Sequence, residues 1–505
     1  MESISSKYAS PTRQSRVAIG IILIKFIRFT LRSFWPLVLS LFIGRKAGNS
    51  FEEVIGYVAL GIAALNLLGS VLTYFRFYFH IEEGAFIIDK GVLKKTKTNI
   101  PFERIQTINL QQNLLHQMFG VVSLEIDTAG AKKSELTIDA LRKEDAEALR
   151  KYILEEREQL VDKTSQESAQ VTTAEREEEV EETILSLSIT DLFKVGVSQN
   201  HLKSMAILFA FVFSTLNELT DDVEDLVREQ LSGFEEYVVT NSWIVFLGSV
   251  IIVAIIAFLY SLINTVLKNF ELKLSTRKRG LKLVRGLFNR EEISINRSKV
   301  QTISWSDNPL RKAFKMFTLE IEQAGSAQAD QLKAKIKIPG CYHQQVKHVV
   351  QMVFPFDISS EHEKHRVSHL LRYRLWLTVS LLPALVVILP AYYFWNPNAL
   401  WLLLWIPTSL LAIELYYRKR SFELTAEMLR NNKGTFGNTH EIIQLYKVQA
   451  VIIKQSWYQR RKNLATVELS TAAGDISIPF IAMEKAEALE NYVLYKVESS
   501  TEKWM

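Results

Sequence analysis

The sequence predicts an α+β membrane protein, with about six transmembrane helices in three hairpins, each followed by a small β-barrel capped by a C-terminal helix. Three observations lead there. Long charge-free apolar runs are separated by polar segments, those segments alternate apolar and polar residues as strands do, and one residue pattern returns three times at constant spacing. At roughly 150 residues per domain, 505 residues make about three domains. Hydrophobic residues are 48% of the chain against 23% charged, which excludes a disordered protein. A net charge of +5 is too mild for a dedicated nucleic-acid binder, so no nucleic-acid partner is expected. The single cysteine, Cys341, excludes an internal disulfide and any cysteine-rich metal site.

The longest run without Asp, Glu, Lys or Arg is Leu375 to Ile413, interrupted by the turn signal Asn396-Pro397-Asn398. A helical crossing takes about 20 residues, so this run reads as two membrane helices. Tyr237 to Leu267 and Val54 to Phe75 read as one each, because a soluble core helix normally keeps a wet, charged face. Two shorter spans, Ser33 to Gly44 and Ser204 to Asn217, complete the six. Before the first, Lys25, Arg28 and Arg32 share a helical face. They suit a basic amphipathic helix lying among headgroups better than a transport path.

Basic residues flank the same ends of these spans. Arg13 and Arg16 precede the first, Arg277, Lys278, Arg279, Lys282 and Arg285 follow the fourth, and Arg418, Lys419 and Arg420 follow the sixth. The connection between the third and fourth, Glu218 to Glu236, is acidic and holds one arginine, Arg228. The Lys/Arg bias puts both termini and the polar segments in the cytoplasm, with short tips outside at about Arg45 to Glu53, Glu218 to Glu236 and Trp395 to Asn398. Arg45 and Lys46 in the first tip run against that assignment. The first apolar stretch carries internal charges, so no cleavable signal peptide is evident.

The polar segments are copies of one another. The first contains Gly91-Val92-Leu93, Arg104-Ile105-Gln106, Leu124-Glu125-Ile126 and Ala129-Gly130. The second contains Gly286-Leu287-Phe288, Lys299-Val300-Gln301, Leu319-Glu320-Ile321 and Ala324-Gly325. The third contains Gly434-Thr435-Phe436, Lys447-Val448-Gln449, Val467-Glu468-Leu469 and Ala473-Gly474. First glycine and glutamine are 15 positions apart in all three, and glutamine and glutamate 19. Within a copy, Phe270, Leu272 and Leu274 alternate with Glu271, Lys273 and Ser275, which is strand periodicity. Each copy ends on a helical stripe: Ala146, Leu149 and Ile153; Val346, Val349, Val350 and Val353; Ala486, Leu489 and Val493. The helix is expected to cover an open end of a small barrel.

Helix pairs flanking a domain with this run of G-x-[LF], [RK]-[IV]-Q, [LV]-E-[IL] and A-G resemble the bacterial pleckstrin-homology-like (PH-like) family of membrane-flanked domains, in its three-repeat form. The resemblance covers nearly the whole chain. The copies differ in places: Ile443-Gln444-Leu445 stands where the first copy has Ile100-Pro101-Phe102, and Trp457 and Tyr458 replace Leu114 and Leu115. The resemblance implies PH-like barrels, a bacterial cytoplasmic-membrane location, no established enzymatic reaction, and a setting in envelope stress or resistance to membrane-active antimicrobials. It also suggests a small two-span member of the same family as partner. The chain then divides into an interfacial helix and hairpin (1–77), PH-like domain 1 (78–157), an acidic linker (158–184), hairpin 2 (185–268), PH-like domain 2 (269–354), a linker (355–373), hairpin 3 (374–417) and PH-like domain 3 (418–498).

Catalytic signals are few. No P-loop, dinucleotide fingerprint or nucleophile elbow is present. His365 and His369 have a zinc-helix spacing, but His362-Glu363-Lys364-His365 is one residue short of H-E-x-x-H, and solvated interface histidines fit better. No metal or cofactor is expected. Gln106, Gln301 and Gln449 read as strand glutamines bonded to a loop, and Glu125, Glu320 and Glu468 as solvent-facing positions of an alternating strand. The more credible functional residues are the basic clusters Lys94, Lys95 and Lys97; Arg277, Lys278, Arg279 and Lys282; and Arg418, Lys419 and Arg420. They would attract anionic headgroups, although topology determination needs the same residues. The expectation is a non-enzymatic membrane scaffold that binds membrane lipids, a protein partner or itself. The alternative is a transporter or lipid-handling protein, for which Asn66 and Asn264 are the nearest intramembrane candidates.

Overall fold

The computed structural model describes residues 7–25, 27–28, 50–91, 94–128, 136–165, 182–201, 205–210, 242–277, 280–324, 335–354, 362–394 and 397–501. Ser33 to Gly44, most of Ser204 to Asn217, the middle of the acidic linker, Gly130, Lys278, Arg279 and Gly325 lie outside them.

The alternating residues form strands in each copy. The first copy builds β1 (Tyr78–Glu82), β2 (Ala85–Lys90), β3 (Thr96–Pro101), β4 (Ile105–Gln112), β5 (Val121–Thr128) and β6 (Leu136–Arg142), then the helix Lys143–Ser165. The second builds β7 (Thr183–Ser186), β8 (Lys273–Arg277), β9 (Gly280–Arg285), β10 (Arg290–Asn296), β11 (Val300–Ser306), β12 (Met316–Gln323) and β13 (Lys335–Tyr342), then the helix His343–Val353. The third builds β14 (Lys364–Arg366), β15 (Ser421–Leu424), β16 (Met428–Lys433), β17 (Thr439–Gln444), β18 (Ala450–Lys454), β19 (Leu464–Thr471) and β20 (Gly474–Ala482), then the helix Met483–Ser499. Gly91, Gly286 and Gly434 end the second strand of their hairpins at φ +113°, +102° and +142°. A Cβ there would lie 2.0–2.2 Å from the carbonyl oxygens of Lys94, Asn289 and Gly437, so only glycine fits.

The sheets do not respect the copies. Their strand orders are β1-β2-β3, then β6-β5-β4-β10-β9-β8-β7, then β13-β12-β11-β17-β16-β15-β14, then β18-β19-β20. Each seven-stranded sheet takes three strands from one copy and four from the next. The expected separate barrels are thereby replaced by a row in which β10 pairs with β4 and β17 with β11, both antiparallel. On its own each unit would expose the edge of β4 or β11, and β10 or β17 of the following unit fills it. The cores follow the units, with one exception: Met428 and Ile442 of the third unit pack into the core of the second beside Trp305 and Ile303. The helix stripes bury as the periodicity implies, with Leu149, Val349 and Leu489 each facing the core of their own unit.

The membrane part requires a correction. Among the described residues, two helical stretches are long and apolar enough to cross a bilayer, Leu247–Lys268 and Leu370–Tyr393. About six spans in three hairpins are not supported. The run Leu375 to Ile413 shows why: its expected second helix is too short, because absence of charge does not guarantee α-helix on both sides of the turn. Past Phe394 the chain enters a 3-10 segment, Pro397–Leu404, and the α-helix that follows, Trp405–Lys419, has 15 residues. At 1.5 Å per residue that is about 22 Å, short of a hydrocarbon core of about 30 Å. Its last two turns also carry Glu414, Arg418 and Lys419. Because consecutive units share sheets, all three lie on one side of any bilayer these helices enter.

Candidate functional site: a basic cleft at the foot of a membrane-proximal helix

The third unit places its cations where the Trp405–Lys419 helix meets the sheet. Arg418 and Lys419 form the last helical turn, and Arg420 turns the chain into extended conformation. Lys419 Nζ donates to the carbonyls of Thr435 (2.8 Å), Phe436 (3.2 Å) and Gly437 (2.9 Å), which fastens the β16–β17 hairpin to the helix end. β14 runs beside β15 with Lys364 opposite Glu423 and Arg366 opposite Ser421. Glu423 and Ser421 lie opposite Arg430 and Asn432 on β16, and Asn432 lies opposite His440 on β17. Opposed residues share a face of the sheet, so one polar row crosses four strands.

These residues, with Arg418, Lys419 and Asn438, line a cleft of about 230 Å³. Its lining holds five cations, Lys364, Arg366, Arg418, Lys419 and Arg430, against the carboxylate Glu423. Glu423 is already engaged: Asn432 Nδ2 donates to it at 3.0 Å and Arg430 Nη1 lies 3.5 Å away. Burial, then the charges of Arg430 and Lys364, push His440 down to about 3, so its ring is neutral. His440 Nδ1 lies 2.6 Å from Asn432 Oδ1 and is the donor of that bond. The Arg430 guanidinium lies 5.3 Å from the centre of the Trp305 ring, a residue of the second unit, and its buried Nε has no hydrogen-bond partner among the described residues. Arg418 Nε donates to Glu414 at 2.8 Å and Lys419 is spent on its carbonyls, so Lys364 and Arg366 supply the positive charge that an anion could offset.

The sequence-predicted residues fall in several places. Arg418 and Lys419 line the cleft, whereas Arg420 is buried and donates to the Ser477 carbonyl. Lys94, Lys95 and Lys97 are exposed on and beside β3. Arg277 closes β8, and Lys282 lies 3.4 Å from Glu292. Gln106 lies in β4, Gln301 is fully buried in β11, and Gln449 is exposed just before β18. The repeated glutamates are tied across strands: Glu125 accepts from Gln111 Nε2 at 2.8 Å, Glu320 pairs with Lys337 at 2.9 Å, and Glu468 pairs with Lys454. Gly474 turns β19 into β20 at φ +142°. Sequence reasoning missed Lys364, Arg366, Arg430 and His440 as one site. The available signal was the period-two spacing of Lys364 and Arg366 on β14 and of Arg430 and Asn432 on β16.

A sequence profile of the Bacterial PH domain family matches residues 23–157, 236–350 and 381–497, one match per copy. The UPF0699 transmembrane protein YdbT of Bacillus subtilis (strain 168) is 23% identical over 433 residues, covering 84% of this chain and 85% of that protein. The UPF0699 transmembrane protein YdbS of the same organism is 32% identical over 122 residues, covering 23% of this chain and 77% of that protein. The three matched segments take in most of the sequence, and with two apolar helices beside them the chain belongs to the bacterial PH domain family as a membrane-associated member.

Proposed function

We propose that the protein is a non-enzymatic scaffold of the bacterial cytoplasmic membrane, whose cytosolic row of PH-like units holds anionic lipid headgroups and gathers protein partners. The observation that carries this reading is the ring of five cations around one cleft at the end of the Trp405–Lys419 helix. Each basic residue near an anionic surface contributes about 1 kcal/mol of attraction. Exposed apolar tips accompany it. Leu287 and Phe288 sit on a hairpin whose Leu287 N–H donates to Leu267 at the end of the Leu247–Lys268 span, and Phe436 sits on the hairpin fastened by Lys419. These tips suit the headgroup layer. The flanking Arg372, Arg374, Arg418 and Lys419 favour the cytosolic side for the units. Envelope stress or antimicrobial defence is the setting the family resemblance suggests, and a small two-span relative or a second copy is the partner.

The test uses the full chain in nanodiscs of phosphatidylcholine with and without phosphatidylglycerol, followed by native mass spectrometry. Phosphatidylglycerol should be retained selectively, and Arg366→Glu with Arg418→Glu should abolish the selectivity. Equal retention of both lipids, or selectivity untouched by the double substitution, would refute the reading.

A further inference from the structure

Both junctions join the strand before the glutamine motif of one unit (β10, β17) to the strand that carries that glutamine in the unit before it (β4, β11), and they do so in one register. Superposing the copies on Gln106, Gln301 and Gln449 carries the first-junction pair Gln112 and Arg290 onto Asp307 and Asn438. In the second junction Asp307 N–H donates to the Asn438 carbonyl at 2.9 Å, directly continuing the pair Ser306 and Thr439. The same construction leaves two strands over. β3 borders its sheet on one side of the row and β18 borders its own on the other, and among the described residues neither has a second neighbour. Transferring the junction register places Ala450, Val451, Ile452, Ile453 and Lys454 opposite Ile100, Asn99, Thr98, Lys97 and Thr96, which uses the whole of β18.

We propose that β18 of one copy accepts β3 of a second copy in this register, so that molecules join head to tail through a third junction built like the two internal ones. The inference deepens the self-association part of the proposed function and does not depend on the lipid cleft.

Charge supports a second copy as the occupant. At the first junction Arg150, on the capping helix of the first unit, reaches Glu292 and Ser294 Oγ of the second, each at 2.5 Å. The helix stripes align Arg150 with Val350 and Glu490, and the strands align Glu292 with His440 and Lys97. The second junction therefore has a neutral combination, Val350 with His440. Across the open ends the charges reappear with their signs exchanged, Glu490 on the helix and Lys97 on the strand. Ser294 aligns with Asn99, whose amide can donate to a Glu490 carboxylate as Lys97 does. Neither Lys97 nor Glu490 makes an ion pair among the described residues. A further contact agrees. Lys447 Nζ crosses the second junction to the carbonyls of Ser298 (3.1 Å) and Val300 (2.6 Å). Its first-unit counterpart, Arg104, is exposed and would reach the equivalent carbonyls of Tyr446 and Val448. Lys97 on β3, with Lys94 and Lys95 just before it, discourages indiscriminate pairing of that edge, whereas β18 is a largely apolar edge with Ile452 uncovered. The interface is heterologous, so it closes into a ring or extends as a filament, with every copy on the same side of the bilayer.

Disulfide trapping in native membranes tests it. Two differently tagged full-length copies are co-expressed, one with Thr98→Cys and the other with Ile452→Cys, and treated with copper phenanthroline. Cys341 is fully buried, its thiol pushed up to about 12, and it stays silent. The mixed disulfide should form, and the shifted pair Thr98→Cys with Lys454→Cys should give several-fold less. Adding Lys97→Glu should cut the yield about tenfold, and combining it with Glu490→Lys should restore it, which a misfolded variant would not allow. Absence of the mixed disulfide, equal yield from the shifted pair, indifference to Lys97→Glu, or trapping of Ile452→Cys on a smaller chain would overturn the proposal. Phosphatidylglycerol retention by the same variants reports separately on the cleft.

Discussion

The inner and outer edges of the row are made from corresponding residues in opposite surroundings. Ile303 and Val451 occupy the same position in consecutive copies, as do Gln301 and Gln449. In β11 both residues are fully buried because β17 lies alongside. Next to or within β18, Val451 is half-covered and Gln449 is exposed, although the strand behind them, β19, pairs as β12 does. Burial at these positions is therefore a property of the junction and not of the PH-like unit. The third unit keeps its own core while the corresponding edge, β18, has no second neighbour among the described residues.

Substitutions at matched positions can break that comparison. The largest expected effect is Arg150→Ala, which leaves Glu292 in the first junction without its closest cation. Removing one partner of a buried pair costs about 3 kcal/mol, visible as faster hydrogen exchange in β4 and β10. Glu490→Ala, its counterpart, should change the stability of the isolated chain by less than about 0.5 kcal/mol. Similar losses from both would erase the distinction. Next, Ile303→Ala should cost about 2–4 kcal/mol through lost packing and a residual cavity, against less than about 1 kcal/mol for Val451→Ala. Thermal unfolding of the detergent-solubilised chain gives the ranking. Third, Gln301→Ala removes a fully buried amide and should cost about 1–3 kcal/mol, whereas Gln449→Ala should be silent. If Gln449→Ala destabilised only at high protein concentration, the outer edge would be occupied.

The smallest effect over the interval read, pH 6 to pH 8, is a pH dependence. Burial, then the charge of Arg157, push Lys299 down to about 7 at the first junction. An amine whose folded pKa is lowered opposes folding where it is charged. Stability should thus rise as pH increases from about 7 towards the unfolded value near 10.4. Hydrogen exchange in β10, compared at pH 6 and pH 8 after correction for intrinsic rates, should show the slope, and Lys299→Met should flatten it.

Much of the unit was legible in the sequence. Period two located the strands around Leu272, Leu319 and Ile336, and the helix stripes named the residues that bury. The constant step from Gly91, Gly286 or Gly434 to its glutamine reflects a hairpin only glycine can turn. Strand partnership was not legible. Alternation says which face of β10 is apolar and nothing about whether β11 or β4 lies beside it. The exchange of Arg150 and Glu292 for Glu490 and Lys97 was present, but it has meaning only once the junction is known. Counting charge-free residues overestimated the membrane helices, because beyond the expected turn at Pro397 the chain spends Pro397–Leu404 in a 3-10 segment and leaves an α-helix of 15 residues. The cleft escaped notice because β14, with Lys364 and Arg366, is separated from Arg418 by the whole apolar run Leu375 to Ile413.

Sheets that straddle copies also bear on how such a protein lengthens. A fourth copy duplicated in frame between two existing ones would receive a strand from its successor and give one to its predecessor, with no neighbour redesigned. Row length is open to change by whole-copy gene duplication, whereas losing half a copy would leave bare backbone amides in the middle of the array.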